Sequence, residues 1–202
     1  MFSSIFGPTR SEIWHQLECQ IGGRIVERGF WNGGEALVAR VQNWTVTLDE
    51  YAQTMLVNTT PVVITHTRMR APFGNPSRFR FVIHRTGLLD ELGKLFGMQD
   101  VEVGEPEFDR SFILQSNDPS KVRMLFGSAE LRALVQRQAN IHLSIVDDEG
   151  WFGERYHPDV NVLVFDVAES IDDTARLKGL FDIFAETLDS LSRMNVGTRI
   201  YR

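Results

Sequence analysis

The chain has 202 residues, of which 43% are hydrophobic and 24% charged, with a formal net charge of −6. This composition is typical of globular proteins, and a chain of this length buries enough surface to fold without disulfides. Cys19 is the single cysteine, so we expect no intrachain disulfide, no paired-cysteine metal site and a reducing compartment, the cytoplasm. The negative charge disfavours nucleic-acid binding, and no apolar run approaches the roughly 20 residues that span a membrane.

The first half of the chain predicts one helix followed by strands. Thr9 and Glu12 have the spacing of a capping box, which starts a helix. Between residues 24 and 85, β-branched and aromatic residues recur in short segments. The connections are too short for crossover helices, so we predict an antiparallel meander, with a turn or loop over 71–77 and a strand over 78–83.

The second half alternates helices and strands. Apolar residues at helical spacing predict a short helix over 88–96, and a strand is predicted over 108–114. Asp118 and Ser128 each precede an apolar helical pattern as capping residues. The remaining strands are predicted, in chain order, over 141–146 and 161–167.

The longest helical pattern comes last. After Ser170, which we predict as the cap, apolar residues recur on one helical face from Leu177 to Leu191. Strands and helices are partly segregated along the chain, which predicts an α+β fold: a curved antiparallel sheet with helices on one face and a long C-terminal helix. We predict one domain over residues 1–202; the alternative is a boundary near 97–107, where the composition turns acidic.

The strongest functional signal is a separation of charge in the middle of the chain. Residues 66–85 hold five arginines and no acidic residue, whereas residues 86–109 hold seven acidic residues and one lysine. Side chains alternate between the faces of a strand, so several basic residues share one side of their strands. If the two strands form a hairpin, these residues make one cationic patch: His66, Arg68, Arg70, Arg78, Arg80 and His84.

This arginine-rich hairpin is the predicted ligand-binding site. Arginine binds phosphate and carboxylate groups through two parallel hydrogen bonds. We therefore expect an anionic small molecule or an acidic protein surface as the partner. Two other interpretations stay open. The basic strands could pair with the acidic segment over 86–109, or they could form an ordinary solvated face.

The sequence contains no common catalytic motif, and we predict no catalytic residue, metal or cofactor. The leading hypothesis is therefore a non-enzymatic binding or regulatory module that uses the arginine-rich hairpin. An enzyme of undetermined class is the alternative, and its candidate residues are Asp147, Asp148, Glu154 and His157. A third hypothesis is a structural or homo-oligomeric role, which a large exposed apolar surface would indicate.

Two neighbouring segments resemble those of a known family. Residues 95–104 read LFGMQDVEVG and residues 107–113 read EFDRSFI. They resemble the paired fGxQDxExG and FDrxFxi segments of a bacterial family of unknown function, and the likeness extends over most of residues 78–190. The resemblance implies a bacterial, cytoplasmic protein with a recurrent fold. It implies no substrate.

Overall fold

The computed structural model describes residues 9–27, 34–87, 98–147 and 156–200, which form five helices and one nine-stranded sheet. The helix predicted over 88–96 lies outside these residues, as do Asp148 and Glu154. The helices are α1 (Arg10–Ile21), α2 (Pro106–Ser111), α3 (Pro119–Phe126), α4 (Ala129–Gln136) and α5 (Thr174–Arg193). The strands are β1 (Arg24–Glu27), β2 (Glu35–Val41), β3 (Trp44–Val57), β4 (Thr60–Gly74), β5 (Phe81–Arg85), β6 (Gln99–Asp100), β7 (Phe112–Ser116), β8 (His142–Val146) and β9 (Val160–Val167).

The fold is α+β, as predicted, with a curved antiparallel sheet and a long C-terminal helix. The strand order is β1-β2-β3-β4-β9-β8-β5-β7-β6, and every paired neighbour runs antiparallel. The first four strands form the predicted meander. After β4 the order departs from a meander, because β9 and β8 return from the C-terminal half and lie between β4 and β5.

The predicted hairpin of the two arginine-rich strands is therefore wrong. β4 continues through most of the predicted turn and ends at Gly74, and its second neighbour is β9 rather than β5. In that register Arg68 stands opposite Asp49 on one side and opposite Asp166 on the other. Like charges placed directly across a ladder are destabilising, so a strand rich in arginine pairs better with strands that carry carboxylates.

The helices cover one face of the sheet and enclose the hydrophobic core. α5 contacts α1, α3 and α4 as well as β2 and β3. Its apolar face is fully buried, with Leu177, Leu180 and Phe184 at 0% exposure. This packing follows from the helical spacing of those residues, since each burial of a large apolar side chain stabilises the fold by about 1.5–3 kcal/mol.

The helix termini follow the capping chemistry of the sequence with one correction. The capping box of Thr9 and Glu12 is formed, and Asp118 and Ser128 cap α3 and α4 as predicted. Ser170 does not cap the last helix; Asp173 accepts hydrogen bonds from the first-turn amides, and the Ser170 hydroxyl donates to Glu50 instead.

The strand predicted over 108–114 is also corrected. Its first residues belong to α2, which begins at Pro106, and β7 starts only at Phe112. Proline suits the first turn of a helix because its φ angle is already helical and its missing N–H is not needed there. Among the described residues, no helix is both long enough and apolar enough to cross a membrane.

Candidate functional site

The sheet face opposite the helices carries a row of polar side chains. Asp49 of β3, Arg68 of β4 and Asp166 of β9 stand opposite one another on three adjacent strands. On the next pair of strands, His142 of β8 stands opposite His84 of β5. Residues that alternate with these, such as Leu48 and Met69, point into the core. The predicted basic residues of β4 thus share a face with His84 of β5, but β9 and β8 lie between the two strands. The strand predicted over 78–83 begins only at Phe81, so Arg78 and Arg80 lie before β5 rather than on it.

Arg68 and Arg70 are occupied by one buried carboxylate. Arg68 donates to Asp49 from Nε at 3.0 Å and from Nη2 at 2.9 Å, and Arg70 Nη2 donates to the same side chain at 2.6 Å. The Asp49 side chain is only 1% exposed and that of Arg70 only 4%. Burial alone would lower the pKa of the Arg68 guanidinium, but the hydrogen bonds and charge of Asp49 outweigh burial and raise it. These two arginines therefore neutralise a carboxylate of their own chain.

His66 belongs to the same network through a second carboxylate. Asp166 accepts a hydrogen bond from the Tyr51 hydroxyl at 2.8 Å and lies 2.8 Å from His66 Nδ1, which must carry a proton to donate to it. The Tyr51 and His66 rings stack with centroids 4.7 Å apart, and the Arg68 guanidinium lies 4.8 Å from the Tyr51 ring. Burial first, and then the neighbouring charge of Asp166, raise the pKa of the Tyr51 phenol.

His84 is not placed to meet a ligand. Its side chain is 7% exposed, and its Nδ1 lies 3.3 Å from the Arg85 carbonyl oxygen. Its cross-strand neighbour His142 has a buried Nε2 that has no hydrogen-bond partner among the described residues. Burial first, and the neighbouring His84, lower the pKa of His142, while Asp166 opposes that change. The net lowering of its pKa favours the neutral form of the His142 imidazole.

Arg78 and Arg80 lie elsewhere, in a separate open cleft of about 350 Å³. Arg80 is paired with Asp147, and Asp147 also accepts a hydrogen bond from Asn161 Nδ2 at 2.9 Å. Arg78 is exposed, and in the part of the chain that the structure describes its guanidinium contacts no carboxylate. The other lining residues are Tyr156, His157, Pro158 and Val160. We call this feature the Arg78–Arg80 cleft.

Two asparagines hold the backbone that presents Arg78. Asn75 is fully buried, donates to the Phe79 carbonyl at 2.8 Å and accepts from the Phe79 amide at 3.1 Å. Asn117 donates to the Arg78 carbonyl and accepts from the Arg80 amide, each at 2.8 Å. Arg78 itself has a φ of 50°, in the left-handed region that costs a non-glycine residue roughly 1–2 kcal/mol. Because side-chain hydrogen bonds on both sides impose this conformation, Arg78 is positioned rather than loosely attached.

The acidic segment over 86–109 pairs with groups outside the basic segment over 66–85. Asp109 accepts hydrogen bonds from the amides of Val103 and Gly104 at 2.8 and 2.9 Å, and Glu105 pairs with Arg132 at 3.0 Å. The ion pairs that the structure gives for the basic segment lead to Asp49, Asp147 and Asp166, all outside residues 86–109. Asp109 thus ties the two family-like segments together, because it lies in the second segment and accepts from amides of the first.

The residues named for the enzyme alternative are only partly brought together. Asp147 and His157 both line the Arg78–Arg80 cleft, but each has another partner, since His157 lies 3.6 Å from Asp159. Across the described ranges, no group of three or more histidine, cysteine, aspartate or glutamate side chains is arranged to hold a metal ion. Sequence patterns missed Asn75, Asn117 and Tyr156, because contributions from distant segments leave no local spacing to detect.

The fold defines an α+β protein with a nine-stranded antiparallel sheet. Within the described residues, Arg68 and Arg70 share the buried Asp49, whereas Arg78 and Arg80 line an open cleft. No family model matches the chain, and neither does any curated protein. Among solved structures, it is similar to the crystal structure of the mycobacterial trehalose monomycolate transport factor A, TtfA, with a TM-score of 0.52. The two chains share 9% identity, and the match covers 96% of this chain and 100% of that one. At that identity the likeness concerns the fold alone.

Proposed function

We propose that the protein is a non-enzymatic binding module that holds an anionic group in the Arg78–Arg80 cleft. The group is a phosphate or a clustered carboxylate, carried by a small molecule or by an acidic protein surface. The observation that carries this proposal is the position of Arg78: an exposed guanidinium without a carboxylate partner in the described structure, beside a second arginine on an anchored loop.

The Arg80–Asp147 pair supports an exchangeable anion site. Their side chains are 40% and 60% exposed, and exposed ion pairs contribute only about 0–1 kcal/mol. An incoming phosphate can therefore replace Asp147 at Arg80 at small cost. It would gain Arg78 in addition, and paired guanidinium groups bind such oxyanions with charge-assisted hydrogen bonds. The Asp147 carboxylate is itself an anion bound by Arg80, so an incoming anion would take its position.

The contrast with Arg68 and Arg70 strengthens the assignment. Those arginines share Asp49, which is 1% exposed, and displacing a buried carboxylate would leave charges desolvated and uncompensated. Of the residues expected to bind an anion, Arg78 and Arg80 are thus the pair available to a ligand. TtfA is a transport factor, and a transport-related role is compatible with a binding module of this fold. We retain the cytoplasm as the expected location of this chain.

Binding of inorganic phosphate, pyrophosphate and an acidic peptide, measured by isothermal titration calorimetry, tests the proposal. We expect binding by at least one probe and a loss of roughly tenfold or more in affinity for Arg78→Ala and for Arg80→Ala, since a hydrogen bond to a charged group contributes about 1.5–3 kcal/mol. Arg110→Ala is the matched control, because Arg110 is an exposed arginine on α2 outside the cleft. Equal affinity of Arg78→Ala and the control, or no binding of any probe by the unaltered protein, would refute the proposal.

A further inference from the structure

β3 and β4 extend well beyond the rest of the sheet. The pairing of β2 with β3 reaches only to Asp49, and the pairing of β9 with β4 begins only at Thr67. Beyond those points, within the part of the chain that the structure describes, the two strands pair only with each other, up to Val57 opposite Thr60. The projecting part, residues 52–65, is about 20 Å long at 3.3 Å per residue. We call it the β-arm.

The β-arm carries no charged residue, although charged residues make up 24% of the whole chain, and it exposes five large apolar side chains. Its exposed apolar side chains lie on both of its faces, because neighbouring residues such as Met55 and Leu56 point in opposite directions. Exposure is 41% for Met55, 76% for Leu56, 51% for Val57, 39% for Val62 and 64% for Val63. An isolated two-stranded ribbon is at best marginally stable in water, so a covering partner is expected.

The turn of the β-arm determines which backbone groups face outward. Asn58 and Thr59 have φ angles of 48° and 70°, as in a two-residue type I′ hairpin turn. In that geometry the flanking residues, Val57 and Thr60, form backbone hydrogen bonds with each other. The backbone polar groups of the next pair, Leu56 and Pro61, face away from the partner strand. Pro61 has no N–H, so the outer edge of β4 is interrupted. The outer edge of β3 has neither a proline nor a charge to block pairing.

We infer that the unprotected β3 edge of the β-arm pairs with the same edge of a second copy of this chain. A two-fold antiparallel contact centred on Thr54 would place Thr54 opposite its own copy, place residues equally far before and after Thr54 opposite one another, and extend the ribbon to four strands. No like charges would face each other in this contact, because residues 52–57 of β3 are all uncharged. Two copies of the chain, each with a net charge of −6, repel each other. Contact through the projecting, uncharged β-arm keeps the charged parts of the two copies apart.

A lipid bilayer is the less suitable occupant. The outward N–H and C=O groups of the β-arm edges would lose water without gaining a partner inside hydrocarbon, which costs several kcal/mol for each group. The β-arm also has no lysine or arginine to attract anionic lipid. A second copy satisfies the edge hydrogen bonds and covers the apolar side chains together.

Sedimentation velocity over a dilution series tests this inference. We expect the unaltered protein to be a dimer that dissociates on dilution. We expect Thr54→Pro, which removes an outward N–H of β3, to weaken dimerisation tenfold or more. Val63→Pro is the matched control, because it removes an outward N–H from the opposite edge in the same strand pair. Leu56→Lys gives a second disruption without proline, and far-UV circular dichroism checks that each variant is folded.

A cross-link supplies an independent readout. In a Cys19→Ser background, Thr54→Cys is expected to form a disulfide dimer under mild oxidation, whereas Val63→Cys is not. A protein that stays monomeric at every concentration would overturn the inference, and so would a dimer equally sensitive to Thr54→Pro and Val63→Pro. A monomer that sediments with anionic vesicles, and loses this property in Leu56→Lys, would assign the β-arm to a membrane instead. The β-arm and the Arg78–Arg80 cleft lie at opposite ends of β4, so either proposal can fail without the other.

Discussion

At the scale of single residues, the same side-chain type has different roles according to its surroundings. Arg70 is 4% exposed and shares the buried Asp49 with Arg68, whereas Arg78 is exposed on a loop. A guanidinium that already satisfies a buried carboxylate stabilises the fold and is costly to release. An exposed guanidinium without such a partner is available to a ligand. Composition alone therefore overstates the number of arginines that can bind an anion.

His142 makes stability depend on pH. Burial lowers its pKa below the ordinary value of roughly 6.5, so the unfolded chain binds a proton at a pH where the folded chain does not. The stability that His142 contributes is therefore present above about pH 6.5 and is lost as the pH falls below it.

We expect His142→Phe, which keeps a ring but cannot titrate, to reduce the loss of unfolding free energy between about pH 7 and pH 5. Urea unfolding at several pH values measures the effect. His157→Phe serves as the control, because the His157 side chain is 75% exposed. The same pH slope in both variants would show that burial of His142 is not the cause.

At the scale of elements, the start of α5 shows how nearby capping residues compete. Ser170, Asp172 and Asp173 all precede the helix, and each residue type is suited to an N-cap. Asp173 accepts from the amides of Ala175 at 2.8 Å and Arg176 at 3.2 Å, because the packing of α5 on the sheet determines where its first turn begins.

We expect Asp173→Ala to lower the free energy of unfolding by about 1 kcal/mol, the usual cost of losing a cap. Asp172→Ala is the matched control: Asp172 is an exposed neighbour of the same charge, and its loss should change stability by less than about 0.5 kcal/mol. Chemical denaturation measures both. An equal loss in the two variants would show that charge near the helix, rather than the capping hydrogen bonds, accounts for the effect.

At the scale of the whole molecule, strands from distant parts of the chain share one sheet. β4 lies between β3 and β9, and β8 lies between β9 and β5. The C-terminal α5 also packs against β2 and β3 from the N-terminal half. A boundary near 97–107 would separate strands that hydrogen-bond to each other, so we retain the prediction of a single domain.

A single domain should unfold in one cooperative transition. We expect the thermal unfolding curves from far-UV circular dichroism and tryptophan fluorescence to coincide, and the calorimetric and van't Hoff enthalpies to agree. We expect a fragment of residues 1–97 to remain unfolded, because β4 and β5 would lose β9 and β8 as neighbours. Two separate transitions, or a folded fragment, would instead support the division near 97–107.

Local patterns in the sequence were sufficient for the class of fold and for most helix termini. Capping residues such as Thr9, Asp118 and Ser128 act on amides within three positions, so their effect is visible in a short window of sequence. The apolar spacing of α5 likewise depends only on the period of a helix. The separation of charge along the chain is likewise a local pattern, and Arg78 and Arg80 belong to its basic part.

The partners of those charges were decided by tertiary structure alone. Asp49 and Asp166 reach Arg68 because β3 and β9 lie on either side of β4, and a strand's neighbours depend on the packing of the whole sheet rather than on its own residues. The insertion of β9 and β8 separated two basic strands that looked like a hairpin. Local sequence determined which side chains share a face of a strand, and the long-range order of the strands decided which arginines meet a buried carboxylate and which lie exposed.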